Sequence, residues 1–257
     1  MMMQALYPIL EHDGSTPALI EPSRVLKPMD IPERCVLCFF QDVIGEVAAN
    51  TSSTRQIGTL NSEMGLNPIY ELTIDGQPLA LVHPGMGAAF GVTVLEELIA
   101  LGCRRFIACG GAGVLNPELA LGHVVVPTAA IRDEGASYHY LPPSRDVAPT
   151  AAAVTAIEAA LRKHHVPYVL GKTWTTDAIY RETPAKIARR RDEGCLTVEM
   201  EAASFFAVAQ FRGVTFGQLL YSGDDLSGEA WDHRDWQTHS GARDKLFWLA
   251  VDACLSL

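Results

Sequence analysis

The stretch "CLTVEMEAASFFAVAQFRG", residues 195–213, changes its period halfway along. "CLTV" is short, apolar and β-branched, the mark of a buried strand. "EAASFFAVAQFRG" has helical composition and stops at a glycine, the usual residue just past a helix end. Between them Glu199 and Glu201 flank Met200. A strand that runs straight into a helix is half of a strand–helix–strand unit, and the rest of the chain repeats it.

Further along the chain, "CVLCFF" (35–40), "RFIACGGAGVL" (105–115), "GHVVVPTAAI" (122–131) and "PYVLGKTWTT" (167–176) read as buried strands, and "TFGQLLYSGDD" (215–225) as a strand followed by an acidic loop that holds Asp224 and Asp225. "YELTI" and "PLALVH" read as a hairpin turning at Asp75-Gly76. "GAAFGVTVLEELIALG" carries Val94, Leu95, Leu98 and Leu101 at helical spacing. "APTAAAVTAIEAALRKHH" starts near Thr150 and ends in basic residues, as the helix dipole favours. "TPAKIARRRDEG" reads as a short helix with solvated arginines, and "ARDKLFWLAVDACLSL" as a C-terminal helix. This alternation predicts an α/β fold with helices on both sides of a mostly parallel sheet. No internal repeat or low-complexity linker divides the chain. Residues 1–34, rich in proline, read as an N-terminal arm or a packed extended segment, and 35–257 as one domain.

The 257 residues are 48 % hydrophobic and 19 % charged, with mean hydropathy +0.12. That is ample material for a core and excludes disorder as the general state. A net charge of −10 and a pI near 5.2 argue against gripping a nucleic-acid backbone. No apolar run reaches the about 18 residues that span a membrane. The N-terminus lacks the pattern of a signal peptide. Cys35 and Cys38 form a C-x-x-C without the second half that a zinc site needs, so all six cysteines read as buried thiols of a reducing compartment. The expected location is the cytoplasm; no metal or cofactor is expected.

In open α/β folds the site gathers at the carboxyl ends of strands. Four strand ends carry chemistry. "HPGMGAAFG" (83–91) brings glycines and a helix N-terminus, read as a ligand-facing turn or as an ordinary tight one. "ACGGAG" (108–113) frees backbone amides, or is a bulge. Glu199 and Glu201 share one face of an extended chain and could accept from a ribose diol across Met200. Alternatively, they mark a helix N-terminus, where acidic residues are favoured. In "YSGDDLSGEAWDH" (221–233), Asp224 is read as a proton donor to a leaving group, or as a solvated turn.

"VEMEAASFFAVAQFRGV" closely resembles the Glu-Met-Glu signature of the nucleoside phosphorylase family, which includes uridine phosphorylase, hexameric purine nucleoside phosphorylases and methylthioadenosine nucleosidases. "VHPGMG", "EELIALGCRRFIACGGAGVL", "GHVVVPTAAIRDEGASYHY" and "TTDAIYRET" resemble its other blocks, in order, over roughly residues 35–250. The resemblance implies a three-layer α/β/α fold around a mixed, distorted central sheet. It implies cleavage of a nucleoside's N-glycosidic bond and assembly as a homo-oligomer, dimer or hexamer. Phosphate would be the acceptor, giving ribose 1-phosphate; the alternatives are a water-using nucleosidase and a nucleoside-binding protein without catalysis. By resemblance Glu201 and Met200 bind ribose, and Glu199 shapes the pocket or activates water. Asp224, 23 positions after Glu201, protonates the base, which favours a purine. Gly87, Gly110 and Gly111 surround the phosphate or water, and Ile179 and Tyr180 fall where an aromatic packs on the base. His12 and His139 are candidates for the sugar's 5′ side or a subunit contact, and the Trp231–Trp236 segment for closing over the substrate.

The family's phosphate arginines are not found. One position holds Ala108, and "CFFQDVIGEV" (38–47) takes the place of the loop that bears another. Losing a charge-assisted donor of that kind costs on the order of 10²-fold in rate. Arg55, Arg132 and Arg181 are the candidates to reach the site by another route.

Overall fold

The computed structural model describes residues 5–15, 17–50, 52–236 and 240–257. Among the described residues, ten strands and seven α-helices follow in chain order. The helices are α1 (Pro22–Val25), α2 (Gln41–Asn50), α3 (Ala88–Leu101), α4 (Ala151–Lys163), α5 (Pro184–Asp192), α6 (Ala202–Arg212) and α7 (Ser240–Leu255). The strands are β1 (Arg34–Cys38), β2 (Thr54–Ser62), β3 (Gly65–Ile74), β4 (Gln77–Val82), β5 (Arg105–Val114), β6 (Val124–Asp133), β7 (Asp146–Val147), β8 (Tyr168–Thr176), β9 (Cys195–Glu199) and β10 (Thr215–Asp225).

The sheet is mixed rather than mostly parallel. β1 pairs in parallel with β4 and β5, and β10 in parallel with β5, while β2–β3–β4 is an antiparallel meander. The far ends of β5 and β10 turn to meet β9 and β6 antiparallel. β5, β10, β6, β8 and β9 therefore pair in a closed circuit, and this is the distortion of the sheet. The carboxyl ends of β5, β9 and β10 are drawn together at the mouth of that circuit.

Two large apolar clusters cover opposite faces of the sheet. One packs Val36, Cys38, Ile107 and Leu219 against α2, α4 and α7. The other packs Leu37, Phe106, Ala108 and Phe216 against α3 and α6. Phe205 and Phe216 meet with ring centroids 5.2 Å apart, within the range of aromatic attraction. All six cysteines are free and buried, five in these layers and Cys195 in a smaller cluster with Trp174 and Val198.

The Asp75-Gly76 turn has both residues at positive φ, 49° and 77°, as a tight hairpin needs. Four further expectations differ. Residues 41–50 form α2, whose Val43, Ile44 and Val47 dock into the core, rather than a loop. The arm is not wholly extended: α1 lies against the domain, and Glu21 pairs with Arg212 of α6 at 3.1 Å. Asp224 and Asp225 end β10 rather than follow it. Arg190 is not solvated. It is 6 % exposed, bonded to Asp133 at 2.9 Å and stacked over Trp174, because the helical period turns this one arginine of the three inward. No helix among the described residues is long and apolar enough to cross a membrane.

Candidate active site

A cavity of about 430 Å³ opens where the ends of β5, β9 and β10 converge. Its floor is Val198, Glu199, Met200 and Glu201. The two glutamates do different things. Glu199 turns back onto its own chain: one oxygen accepts from the Thr175 hydroxyl at 2.5 Å, the other from the N–H groups of Glu201 and Ala202 at 2.7 and 2.6 Å. It satisfies the free amides at the start of α6, which is the helix-terminus reading of the motif. Glu201, at the N-cap of that helix, sends its carboxylate the other way. One oxygen accepts from the Gly87 N–H at 2.5 Å, and among the described residues the other has no donor. So the pair does not present two carboxylates to one diol; Glu201 alone offers free acceptor capacity. Burial raises both carboxyl pKa values, and for Glu201 the charge of Glu199 adds to the effect.

Toward α3 the cavity is walled by Phe39, His83, Gly85 and Met86. His83 Nδ1 accepts from the Gly85 N–H at 3.0 Å, its ring meets Phe39 edge-on at 6.3 Å, and burial lowers its pKa. Gly87 has φ 88° and ψ 146°, a conformation other residues rarely adopt, and it is this that aims its N–H at Glu201. A Cβ there would touch nothing within 4 Å. Gly87→Ala is therefore expected to lose about 1–3 kcal/mol through backbone strain alone. A chemical denaturation curve with an unchanged slope and a lower midpoint would show it; an unshifted midpoint would contradict this geometry.

On the sheet side stand Gly111, Ala112 and Gln218. Gln218 is the in-register neighbour of Ala108 on the adjacent strand and only 1 % exposed, yet among the described residues its buried Oε1 has no partner. A buried unsatisfied acceptor is costly, and one lining a cavity suits a bound donor. The remaining wall holds Ile179, Glu182, Asp224, Leu226, Trp236 and Arg243. Asp224 Oδ2 accepts from Trp231 Nε1 at 2.6 Å. Arg243 is bonded to Asp42 at 2.7 Å and stacked over Phe40 at 4.8 Å.

Asp224, Glu199, Glu201, Met200, Gly111 and Ile179 thus come together in one cavity. Gly87 and Gly110 lie just behind it: Gly87 serves Glu201, and Gly110 makes room for Phe39, whose ring would stand 2.9 Å from an added Cβ. Tyr180 is a correction. It is 95 % exposed and outside the cavity, because the turn Ile179–Arg181 points adjacent side chains apart and directs only Ile179 inward. His139 borders a separate cavity with Tyr140 and Glu96, and His12 belongs to neither. Of the three arginine candidates none lines the site. Arg132 is consumed by Ser137, Ser144 and two carbonyls, Arg55 pairs with Glu71, and Arg181 lies outside.

Sequence reasoning missed His83, Glu182, Gln218 and Arg243. For Gln218 a signal existed: it is the lone long polar side chain inside the apolar strand "TFGQLLY".

The comparisons agree with this picture. The family model described as Phosphorylase superfamily matches residues 33–254. A guanosine phosphorylase of Halorubrum lacusprofundi is 30 % identical over 151 residues, 59 % of this chain and 63 % of the relative. A uridine phosphorylase of Haemophilus influenzae is 29 % identical over 161 residues, 57 % and 64 % respectively. The chain thus spans less than two thirds of the length of these curated relatives. Among solved structures, a purine nucleoside phosphorylase from Toxoplasma gondii in complex with immucillin-H superposes with TM-score 0.78 at 21 % identity, over 94 % of this chain and 98 % of that one. An AMP nucleosidase from Bacteroides thetaiotaomicron superposes with TM-score 0.72 at 24 % identity, over 89 % and 90 %. With a family model matched over most of its length, and the fold of those structures, the chain belongs to the phosphorylase superfamily.

Proposed function

We propose that the protein cleaves the N-glycosidic bond of a nucleoside and releases the free base, a purine-type base being favoured. The observation that carries this reading is Glu201: a buried carboxylate at a cavity floor, fixed through one oxygen and open at the other, beside Met200. It can accept from the ribose diol while the thioether lies along the sugar. The base then lies between Ile179, Leu226 and Asp224. As the C1′–N bond lengthens, positive charge grows on the sugar in a cavity whose carboxyl groups outnumber its arginines, which favours that charge.

Phosphate is the acceptor in the reading that follows the names of the phosphorylases among the relatives. The second reading is water, and one observation favours it. Among the described residues Arg243 is the one arginine lining the cavity, and it is already paired with Asp42. Beside Ala108 stands a neutral amide, Gln218, suited to a neutral acceptor. Purine and pyrimidine nucleosides incubated with and without phosphate separate the two readings. A phosphorylase forms ribose 1-phosphate and stalls without phosphate; a nucleosidase releases base equally in both. We place the enzyme in the cytoplasm, on its six unbridged buried thiols, working as a dimer or hexamer.

A further inference from the structure

The wall beside Asp224 carries a carboxyl group that no motif singled out. Glu182 follows the turn Ile179–Arg181, and its side chain divides the main cavity from a smaller one bordered by Pro184, Ile187, Arg191 and Trp231. Its backbone is tied down, the N–H donating to the Ile179 carbonyl. Among the described residues nothing hydrogen-bonds its carboxyl oxygens. Asp224 on the same wall is differently placed. Its Oδ2 is held by the Trp231 indole N–H, and its Oδ1 lies 3.6 Å from where a Cβ on Gly113 would stand. A neighbouring carboxylate favours the neutral form of the next carboxyl group. Two adjacent carboxyl groups in unlike surroundings divide the roles of acid and anion.

We propose that Glu182 is the carboxylic acid that protonates the departing base, with Asp224 beside it. The inference rests on the reading that this cavity cleaves nucleosides. In the step, the Glu182 O–H bond breaks and an N–H bond forms on a ring nitrogen of the base. The C1′–N bond breaks and its electron pair goes to the base, leaving an oxocarbenium sugar. The acceptor, water or hydrogen phosphate, adds to C1′ and surrenders one proton, which restores Glu182. Burial and the charge of Asp224 push the Glu182 carboxyl up to about 7, against the pull of Lys186. Arg191 and Glu229 face it across the smaller cavity. The proton is therefore held into the neutral range and lost above it.

The test uses the whole protein with two substrates: a purine nucleoside, and p-nitrophenyl β-D-ribofuranoside, whose leaving group needs no proton. Glu182→Gln is expected to lower kcat/KM for the nucleoside by about 10²- to 10⁴-fold. The nitrophenyl riboside should change little. The same variant should abolish the alkaline limb of the nucleoside pH profile. Asp224→Asn should move that limb to lower pH, since the charge that holds the proton on Glu182 is gone. An active wild type with an unaffected Glu182→Gln, or with equal losses on both substrates, overturns the proposal alone. A wild type that cleaves neither substrate overturns the underlying reading and this proposal with it.

Discussion

Glu201→Ala is expected to reduce kcat/KM for nucleoside cleavage by about 10²- to 10⁴-fold. Two ribose hydroxyls donating to one carboxylate make two charge-assisted bonds, each worth about 1.5–3 kcal/mol, and each 1.4 kcal/mol is about tenfold. The substitution also frees the Gly87 N–H, which now donates to Glu201. The loss should be far smaller for 2′,3′-dideoxynucleosides, which have no diol to offer. Glu201→Gln keeps one acceptor and should fall between. Steady-state kinetics on the ribo- and dideoxy-nucleosides check this. Equal losses on both would mean that Glu201 supports the fold of the site and not the sugar.

Glu199→Ala is expected to act on stability instead. Its carboxylate accepts from the Thr175 hydroxyl and from two backbone amides, in a position only 7 % exposed. Removing it leaves buried donors without acceptors at about 1–3 kcal/mol each. A total of about 3–5 kcal/mol lowers Tm by roughly 10 °C in a chain of this size. Glu199→Gln separates an anchoring role from a chemical one. The amide is nearly isosteric, its oxygen can take the backbone amides, and its NH2 can donate to Thr175 after the hydroxyl rotates. A stable and active Glu199→Gln identifies an anchor. A stable but inactive one would restore Glu199 to the chemistry as the group that activates water.

The opposite duties of these two glutamates were not legible in "TVEMEA". Spacing shows that two carboxylates stand at the join of a strand and a helix. It does not show that the strand stops at Glu199 and that Glu201, with φ −138° and ψ −29°, already belongs to the helix cap. Once that break exists, the two side chains no longer share a face. Elements with strong local chemistry were legible: the Asp75-Gly76 turn, the helix after Thr150 and the stop at Gly213 in the left-handed conformation. α2 was hidden because its helical pattern spans barely three turns and follows directly on an apolar strand.

Long-range partners were the other blind spot. Glu182 in "IYRET" looks like any polar loop residue; only the fold sets Asp224 beside it. Arg243 sits near the start of α7, and its approach to Phe40 and Asp42 joins opposite ends of the chain. Arg190 could be separated from Arg189 and Arg191 only by knowing where Asp133 and Trp174 stand.

On the proposed reading, this cavity breaks the bond between a base and its ribose. The most direct measurement mixes the wild-type protein with an equimolar purine nucleoside and phosphate, quenches over time, and resolves base from nucleoside by chromatography. Free base is expected to accumulate, to completion with water as acceptor or to equilibrium with phosphate, and the Glu201→Ala protein to yield little of it in the same interval. Nucleoside that is bound tightly by the protein yet recovered intact after many hours would contradict it, and would make the cavity a binding site without chemistry.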